Sequence, residues 1–259
     1  MLGWLQPKPL LDEATRQWLF DLYAWALRHF DAEVFYTHTP LVAPNEQFFP
    51  GRADSPEAMA ALILGHVQRH AALGHWPCRA VDYRQCSTQT AARLLIDGAL
   101  RQPGAEPAQD IAEAQTLLLQ YDPAMLNNPE AMIASYAHAL AHYLASLAPE
   151  PPPGGEQNWP HATEVLAVFL GFGVIMANTT GNVRIPRCGS CTPPPVDRQA
   201  WLSQYDISYA LAIFCVLKGI PAKQASAQLK PTLRGWFKRA CKEIQRAHQL
   251  AALTGSPGR

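Results

Sequence analysis

The chain has 259 residues, with 21 Lys and Arg against 21 Asp and Glu, and 48% of its residues are apolar. This composition excludes disorder throughout and is typical of a soluble, packed protein. The balanced charge gives no overall electrostatic reason to expect a nucleic-acid or membrane partner. The opening residues lack the pattern of a secretory signal, and the longest apolar run, 165–177, is shorter than the roughly 20 residues that cross a bilayer. We therefore expect a cytoplasmic protein.

The first half of the chain mixes helical and extended patterns. Apolar residues recur over 12–30 at the spacing of an amphipathic helix. Residues 34–39 are rich in Val, Phe, Tyr and Thr, which predicts a strand. Ser55 followed by Pro56 predicts the start of a second helix, which continues to about Leu73. A short strand is predicted at 79–84.

The middle of the chain is predicted to run from a strand through two helices. The apolar segment 115–121 predicts a strand that ends at the Asp122-Pro123 turn. Asn128 is a suitable N-cap for the next helix, Pro129 suits its first position, and Pro149 ends it. A strongly apolar helix is predicted from about Pro160 to Ala177.

Connections and C-terminal helices complete the expected organisation. Stretches rich in Pro, Gly and polar residues predict surface connections; they cover 101–109, 148–160 and 185–195. Three further helices are predicted near the C-terminal end, at 207–217, 222–229 and 232–248. Together these patterns predict an α-rich α+β protein with a short sheet.

Two histidines one helical turn apart, His138 and His142, are the most informative motif. Residues four apart lie on one face of a helix, so both rings could bind one zinc ion, as in the HExxH helix of zinc peptidases. In that motif a glutamate after the first histidine takes a proton from zinc-bound water. This chain has Ala139 there, which predicts metal binding without hydrolysis.

Glu164 is the only charged residue of the apolar helix that follows. A buried, unpaired carboxylate is costly, so Glu164 needs a cation, hydrogen-bond donors or exposure at the helix end. Zinc held by His138, His142 and Glu164 would satisfy it, and His161, on the same face, is an additional or substitute ligand. The alternative is that both histidines bond to carbonyls or to Glu164 without any metal.

Two other motifs have the residue types of metal sites. His66 and His70 are also four apart, but they fall on the apolar face of their helix with no carboxylate at a useful distance, which favours packed or surface histidines. Cys188 and Cys191 form a CxxC without a second pair to complete a four-cysteine site. That pair is interpreted as ordinary loop cysteines, with half of a metal site or a redox pair left open.

Three segments around the histidines and Glu164 carry a family resemblance. They read TLLLQYDP from Thr116, NPEAMIASYAHALAH from Asn128 and TEVLAVFLGFG from Thr163. These segments resemble a group of largely uncharacterised bacterial proteins of the zincin type, which look like metallopeptidases. The family pattern is a strand, a helix bearing HELGH, a variable loop and a helix reading roughly ExLTDLLxVFxGxG. This chain departs from it at Ala139, in place of the glutamate, and at Pro160, in place of the first acid. The resemblance implies zinc ligation by His138 and His142, with Glu164 at the second acid position.

These observations lead to two function hypotheses. The first is a single zincin-like domain over 1–254, made of parts 1–126, 127–180 and 181–254, with the HxxxH helix at its centre. It would bind zinc without hydrolysis and act as a binding or regulatory module for a protein or peptide partner. The alternative is a nucleic-acid-binding protein with structural histidines, because Lys218 to Arg246 contains eight Lys or Arg against one acid, Glu243. The favoured interpretation of these charges is a solvated face on packed helices, so neither a nucleic-acid nor a membrane partner is expected.

Overall fold

The computed structural model describes residues 9–85, 96, 98–106, 116–180 and 200–246. Over these residues the protein is rich in helix, with one small sheet, which confirms the α-rich α+β class. In chain order the elements are α1 (Glu13–His29), α2 (Ala32–His38), α3 (Pro56–His70), β1 (Cys78–Asp82), β2 (Leu117–Tyr121), α4 (Pro129–Ser146), α5 (Trp159–Ala167), α6 (Gly173–Thr179), α7 (Gln204–Leu217), α8 (Ala222–Gln228) and α9 (Pro231–Arg246).

Local capping chemistry determines where several helices begin. Asp12 accepts a hydrogen bond from the Thr15 amide at the start of α1, at 2.9 Å. Ser55 and Asn128 cap α3 and α4 in the same way, each with proline at the first helical position. These side chains satisfy amide groups that a helix leaves without a partner in its first turn. Because the signal is local, the sequence predicted all three helix starts.

The sheet consists of β1 and β2, which pair in parallel with Cys78 opposite Leu117 and Asp82 opposite Tyr121. Both strands fall where the sequence predicts them. Helix α3 packs against β1, and α4 packs against β2. The sheet therefore fixes the two helices that precede and follow it, and α4 starts only a short turn after β2 ends.

The strand predicted at 34–39 is wrong, since Ala32–His38 forms the helix α2. The aromatic and β-branched residues of this segment favour a strand in isolation, but tertiary packing decides the outcome. Phe35 is fully buried, stacks on Phe169 at a ring-centroid distance of 4.5 Å and meets Phe214 edge-on at 5.5 Å. A short helix can direct this one ring into the core while leaving its neighbours at the surface.

The apolar helix expected up to Ala177 is interrupted rather than continuous. A π-helical turn, Val168–Phe172, separates α5 from α6, and Gly171 within it has φ 102°. The Gly171 carbonyl accepts a hydrogen bond from the Val42 amide at 3.0 Å. A Cβ atom at Gly171 would lie 2.3 Å from the Pro40 carbonyl oxygen. Glycine is required here because another chain segment approaches the helix backbone directly.

The interrupted helix is a core element. The segment Glu156–Thr179 is long and apolar enough to span a membrane by length and composition, with a mean hydropathy of 1.6 in its most apolar window. Every residue of that window is buried inside the protein. Helices that are apolar on all sides are found in the cores of larger proteins as well as in membranes. The protein's own residues surround this one.

Arg101 corrects the expectation that 101–109 lies wholly at the surface, because its side chain is only 1% exposed. Its guanidinium donates to the Ala71 carbonyl at 3.0 Å, to Thr39 Oγ1 at 2.6 Å and to the Phe30 carbonyl at 3.5 Å. Burial lowers the pKa of Arg101 to about 10. Phe30 and Ala71 are the C-terminal caps of α1 and α3, where the helix dipole is negative, so this cation stabilises both helix ends.

The C-terminal helices are confirmed, with α9 packed along α7 and α8 packed against α9. The buried apolar side chains of the described residues form one hydrophobic core. Cys188 and Cys191 lie outside the described residues, whereas Cys78, Cys215 and Cys241 are free thiols. Burial raises the pKa of Cys78 and of Cys241 to about 12, so these two thiols are unreactive at neutral pH.

Candidate functional site

The two histidines lie on α4, one turn apart, in the predicted order of strand, histidine helix, loop and Glu164 helix. His138 is half-buried and His142 is exposed. The large apolar side chains of this helix face the core, with Ile133, Leu140 and Leu144 almost fully buried. The histidines are therefore at the edge of the buried face, where a side chain can reach both the protein and solvent.

Glu164 is the sixth of the nine residues of α5, which packs against α4. Its side chain is 0% exposed, and its Oε2 accepts a hydrogen bond from the Leu202 amide at 2.9 Å. Burying a carboxylate is tolerated when donors satisfy its oxygens. Of the three outcomes that the sequence left open for Glu164, exposure at the helix end is therefore wrong, and hydrogen bonding is observed.

The described residues contain no group of three or more His, Cys, Asp or Glu side chains positioned to hold one metal ion. The helices that carry His138, His142 and Glu164 pack against each other, but the three side chains do not form a three-ligand site as they stand. Zinc usually takes four ligands in a tetrahedral arrangement. Ligation by these three residues would need side chains to move, and His142 has the freedom to do so because it is exposed.

His161 lies at the start of α5 beside a cleft of about 330 Å³. The cleft is also lined by Thr15 and Trp18 from α1, by Leu202, which precedes α7, and by Asp206 in the first turn of α7. Nδ1 of His161 is buried and makes no hydrogen bond within the described part of the chain. Leu202, which lines the cleft, is also the residue whose amide holds Glu164. The cleft therefore lies next to the buried carboxylate.

Ala139 stands half-buried at the position of the catalytic base in the family pattern. Two nearby acids in the sequence are already used for structure. Asp122 accepts a hydrogen bond from the Ala124 amide at 2.8 Å, and Glu130 accepts one from Asn178 Nδ2 at 2.9 Å. These hydrogen bonds give both acids structural roles.

Two tyrosines near the histidine helix were not singled out from the sequence. Tyr121 ends β2 and Tyr136 lies on α4, and both hydroxyl groups are buried without a hydrogen-bond partner among the described residues. Burial raises the pKa of each, and the Tyr121 hydroxyl adds to the effect on Tyr136. The sequence signal that could have identified Tyr121 is its position at the end of an apolar strand. Its hydroxyl is a neutral hydrogen-bond donor at physiological pH.

His66 and His70 are structural histidines, as predicted. Nε2 of His66 lies 2.9 Å from the Pro50 carbonyl, and Nε2 of His70 lies 2.6 Å from the Phe48 carbonyl. A carbonyl can only accept, so both Nε2 atoms carry protons and are not available to a metal. Burial lowers the pKa of His70, which favours the neutral ring. The pair holds the loop before α3 in place.

Comparisons with protein-family models, curated proteins and solved structures find no significant match to this chain.

Proposed function

We propose that this chain is a zincin-like protein that binds zinc through His138 and His142 on α4, together with Glu164 on α5, and that does not hydrolyse peptides. It would act as a binding or regulatory module toward a protein or peptide. The observation that carries the proposal is the packing of the histidine helix against the helix that buries Glu164. His161 remains an additional or substitute ligand.

The chemistry of the donor set supports zinc. Imidazole nitrogens and carboxylate oxygens are the ligands of zinc sites in the peptidases that this arrangement resembles. The Leu202 amide bonds to Oε2 of Glu164 and orients the carboxylate, as outer partners orient metal ligands elsewhere. Zinc would supply a Lewis acid at this position. The chain's own residues would supply two rings, one carboxylate and the adjacent cleft.

The absence of hydrolysis follows from Ala139. General acid or base catalysis contributes about 10²–10⁴-fold to rate, and alanine has no group that can move a proton. The cleft beside His161 and Leu202 then serves to bind rather than to cut.

Zinc content of the untagged, full-length protein tests the proposal. We expect about one zinc per chain by elemental analysis, lost in His138→Ala and in His138→Asn, which keeps a polar side chain. His38→Ala is the matched control, because His38 is an exposed histidine on α2. The control should retain the metal.

Two results would contradict the proposal in different ways. A wild-type protein that lacks zinc after purification and after zinc addition would exclude the metal site. Casein or peptide turnover that a chelator abolishes would exclude the non-hydrolytic role while leaving the metal site in place.

A further inference from the structure

The exposed side of α9 carries five cations, Arg234, Lys238, Arg239, Lys242 and Arg246, which we call the basic face. At 3.6 residues per turn these positions span an arc of about 140°, and at 1.5 Å per residue they extend over roughly 18 Å. All five are exposed. Lys223 on α8 and Lys230 in the turn between the helices are exposed beside them.

The single acid of α9 does not neutralise this face. Glu243 points toward α7 and the N-terminal region, where it accepts hydrogen bonds from the Tyr209 hydroxyl at 2.9 Å and from the Leu10 amide at 3.1 Å. Its Oε1 also lies 4.0 Å from Arg16. Although the net charge of the chain is zero, its charges are unevenly distributed, and the exposed side of α9 carries only positive charge.

The buried side of α9 argues against insertion of this helix into a membrane. Leu233, Phe237, Ala240 and Ile244 are at most 1% exposed, because they pack into the core with α7. A helix that lies on an anionic membrane inserts its apolar face into the lipid. Here that face is already used inside the protein, so membrane insertion would require α9 to leave the core.

Two further features favour double-stranded DNA among nucleic acids. Binding to single strands relies on aromatic side chains on which bases stack. Trp236, the half-exposed aromatic of α9, packs beside the exposed Tyr205, but at two residues from Arg234 it lies about 200° around the helix, outside the arc of the five cations. The major groove of DNA is wide enough for an α-helix, whereas that of duplex RNA is deep and narrow. A helix with cations along its exposed side fits the former.

The turn before α9 is held firmly. Asn178, at the end of α6, accepts a hydrogen bond from the Lys230 amide at 2.9 Å and donates to the Gln228 carbonyl at 3.0 Å. Arg234 donates to the Leu229 carbonyl at 2.8 Å. The α8–α9 pair is therefore a preorganised unit, and preorganisation lowers the entropy cost of binding.

We propose that the basic face of α9 binds the phosphate backbone of double-stranded DNA. The interaction is independent of zinc and of the α4–α5 site. Each neutralised phosphate contributes about −0.9 to the slope of log K against log salt, so five contacts give a slope of about −4.5. Affinity then falls roughly 500-fold between 50 and 200 mM salt.

Fluorescence anisotropy with a labelled 20-base-pair duplex tests this on the full chain. The variant Lys238→Gln/Arg239→Gln/Lys242→Gln should lose about 2.7 from the magnitude of the salt slope and bind at least about 10-fold more weakly at low salt. The control Arg28→Gln/Arg52→Gln/Arg69→Gln removes the same charge from exposed positions elsewhere and should bind as the wild type does. Circular dichroism confirms that both variants fold.

Several outcomes would overturn the proposal. They are no binding at 50 mM salt, a slope unchanged by the α9 substitutions, an equal loss in the control, or tighter binding to a single strand or to anionic vesicles than to the duplex. His138→Ala separates the two proposals. DNA binding that is unchanged in His138→Ala supports the basic face, whether or not this variant loses zinc.

Discussion

Gly171 is the residue at which the α5–α6 segment departs from a regular helix. Its positive φ is expensive for any residue with a Cβ atom, and the Pro40 carbonyl occupies the space where that atom would go. The hydrogen bond from the Val42 amide to the Gly171 carbonyl then joins the helix to the segment after α2. Backbone conformation and close approach both require glycine here.

Substitution of this glycine should be severely destabilising. We expect Gly171→Ala to lower the free energy of unfolding by at least about 2 kcal/mol, from the cost of positive φ and from overpacking against Pro40. Gly65→Ala is the control, since Gly65 lies within α3 and an added Cβ meets nothing within 4 Å. It should stabilise the protein by about 0.5–1 kcal/mol. Urea unfolding measures both, and equal effects would contradict the explanation.

At the scale of elements, Asn178 connects three parts of the C-terminal half. Its side chain bonds to both ends of the α8–α9 turn and to Glu130 in the first turn of α4. It is only 7% exposed. Asparagine suits this position because it offers an acceptor and two donors at once. The turn is thereby tied to the helix that carries the histidines.

Asn178→Ala should remove these bonds and leave their partly buried partners unsatisfied. We expect a loss of about 2–3 kcal/mol in the free energy of unfolding, and faster trypsin cleavage after Lys223 and Arg234, since Pro231 blocks cleavage after Lys230. Gln245→Ala, an exposed residue on α9, provides the comparison and should change stability by less than about 0.5 kcal/mol. Cleavage that is unchanged in Asn178→Ala would show that the turn does not depend on this side chain.

At the scale of the whole molecule, the sequence predicted what local chemistry determines. Asn128 and Pro129 specify the start of α4 through a cap that spans three residues, so no tertiary information is needed. The helix α2 was not predicted, because the conformation of this segment depends on the packing of Phe35 on Phe169, which lies far along the chain. Arg101 was missed for the same reason, since its partners come from three separate segments.

In the candidate site, too, some features follow from local sequence and others depend on tertiary packing. The spacing of His138 and His142 places them on one helix face, and that placement needs only the helical period. The amide that binds Glu164 belongs to Leu202, 38 residues later, and nothing in the sequence around Glu164 identifies it. The burial of the Tyr121 and Tyr136 hydroxyls likewise depends on how β2 and α4 pack.

Complete burial of residues 162–179, which cover most of α5 and all of α6, has a consequence for hydrogen exchange. Their amide protons have no route to solvent through local fraying, so deuterium should replace them only when the core opens as a unit. Peptides covering 162–179 should then be the slowest to label, with a protection that equals the global stability. Peptides from α9, whose one side faces water, should exchange earlier than peptides from 162–179. The protein should therefore show two well-separated exchange rates.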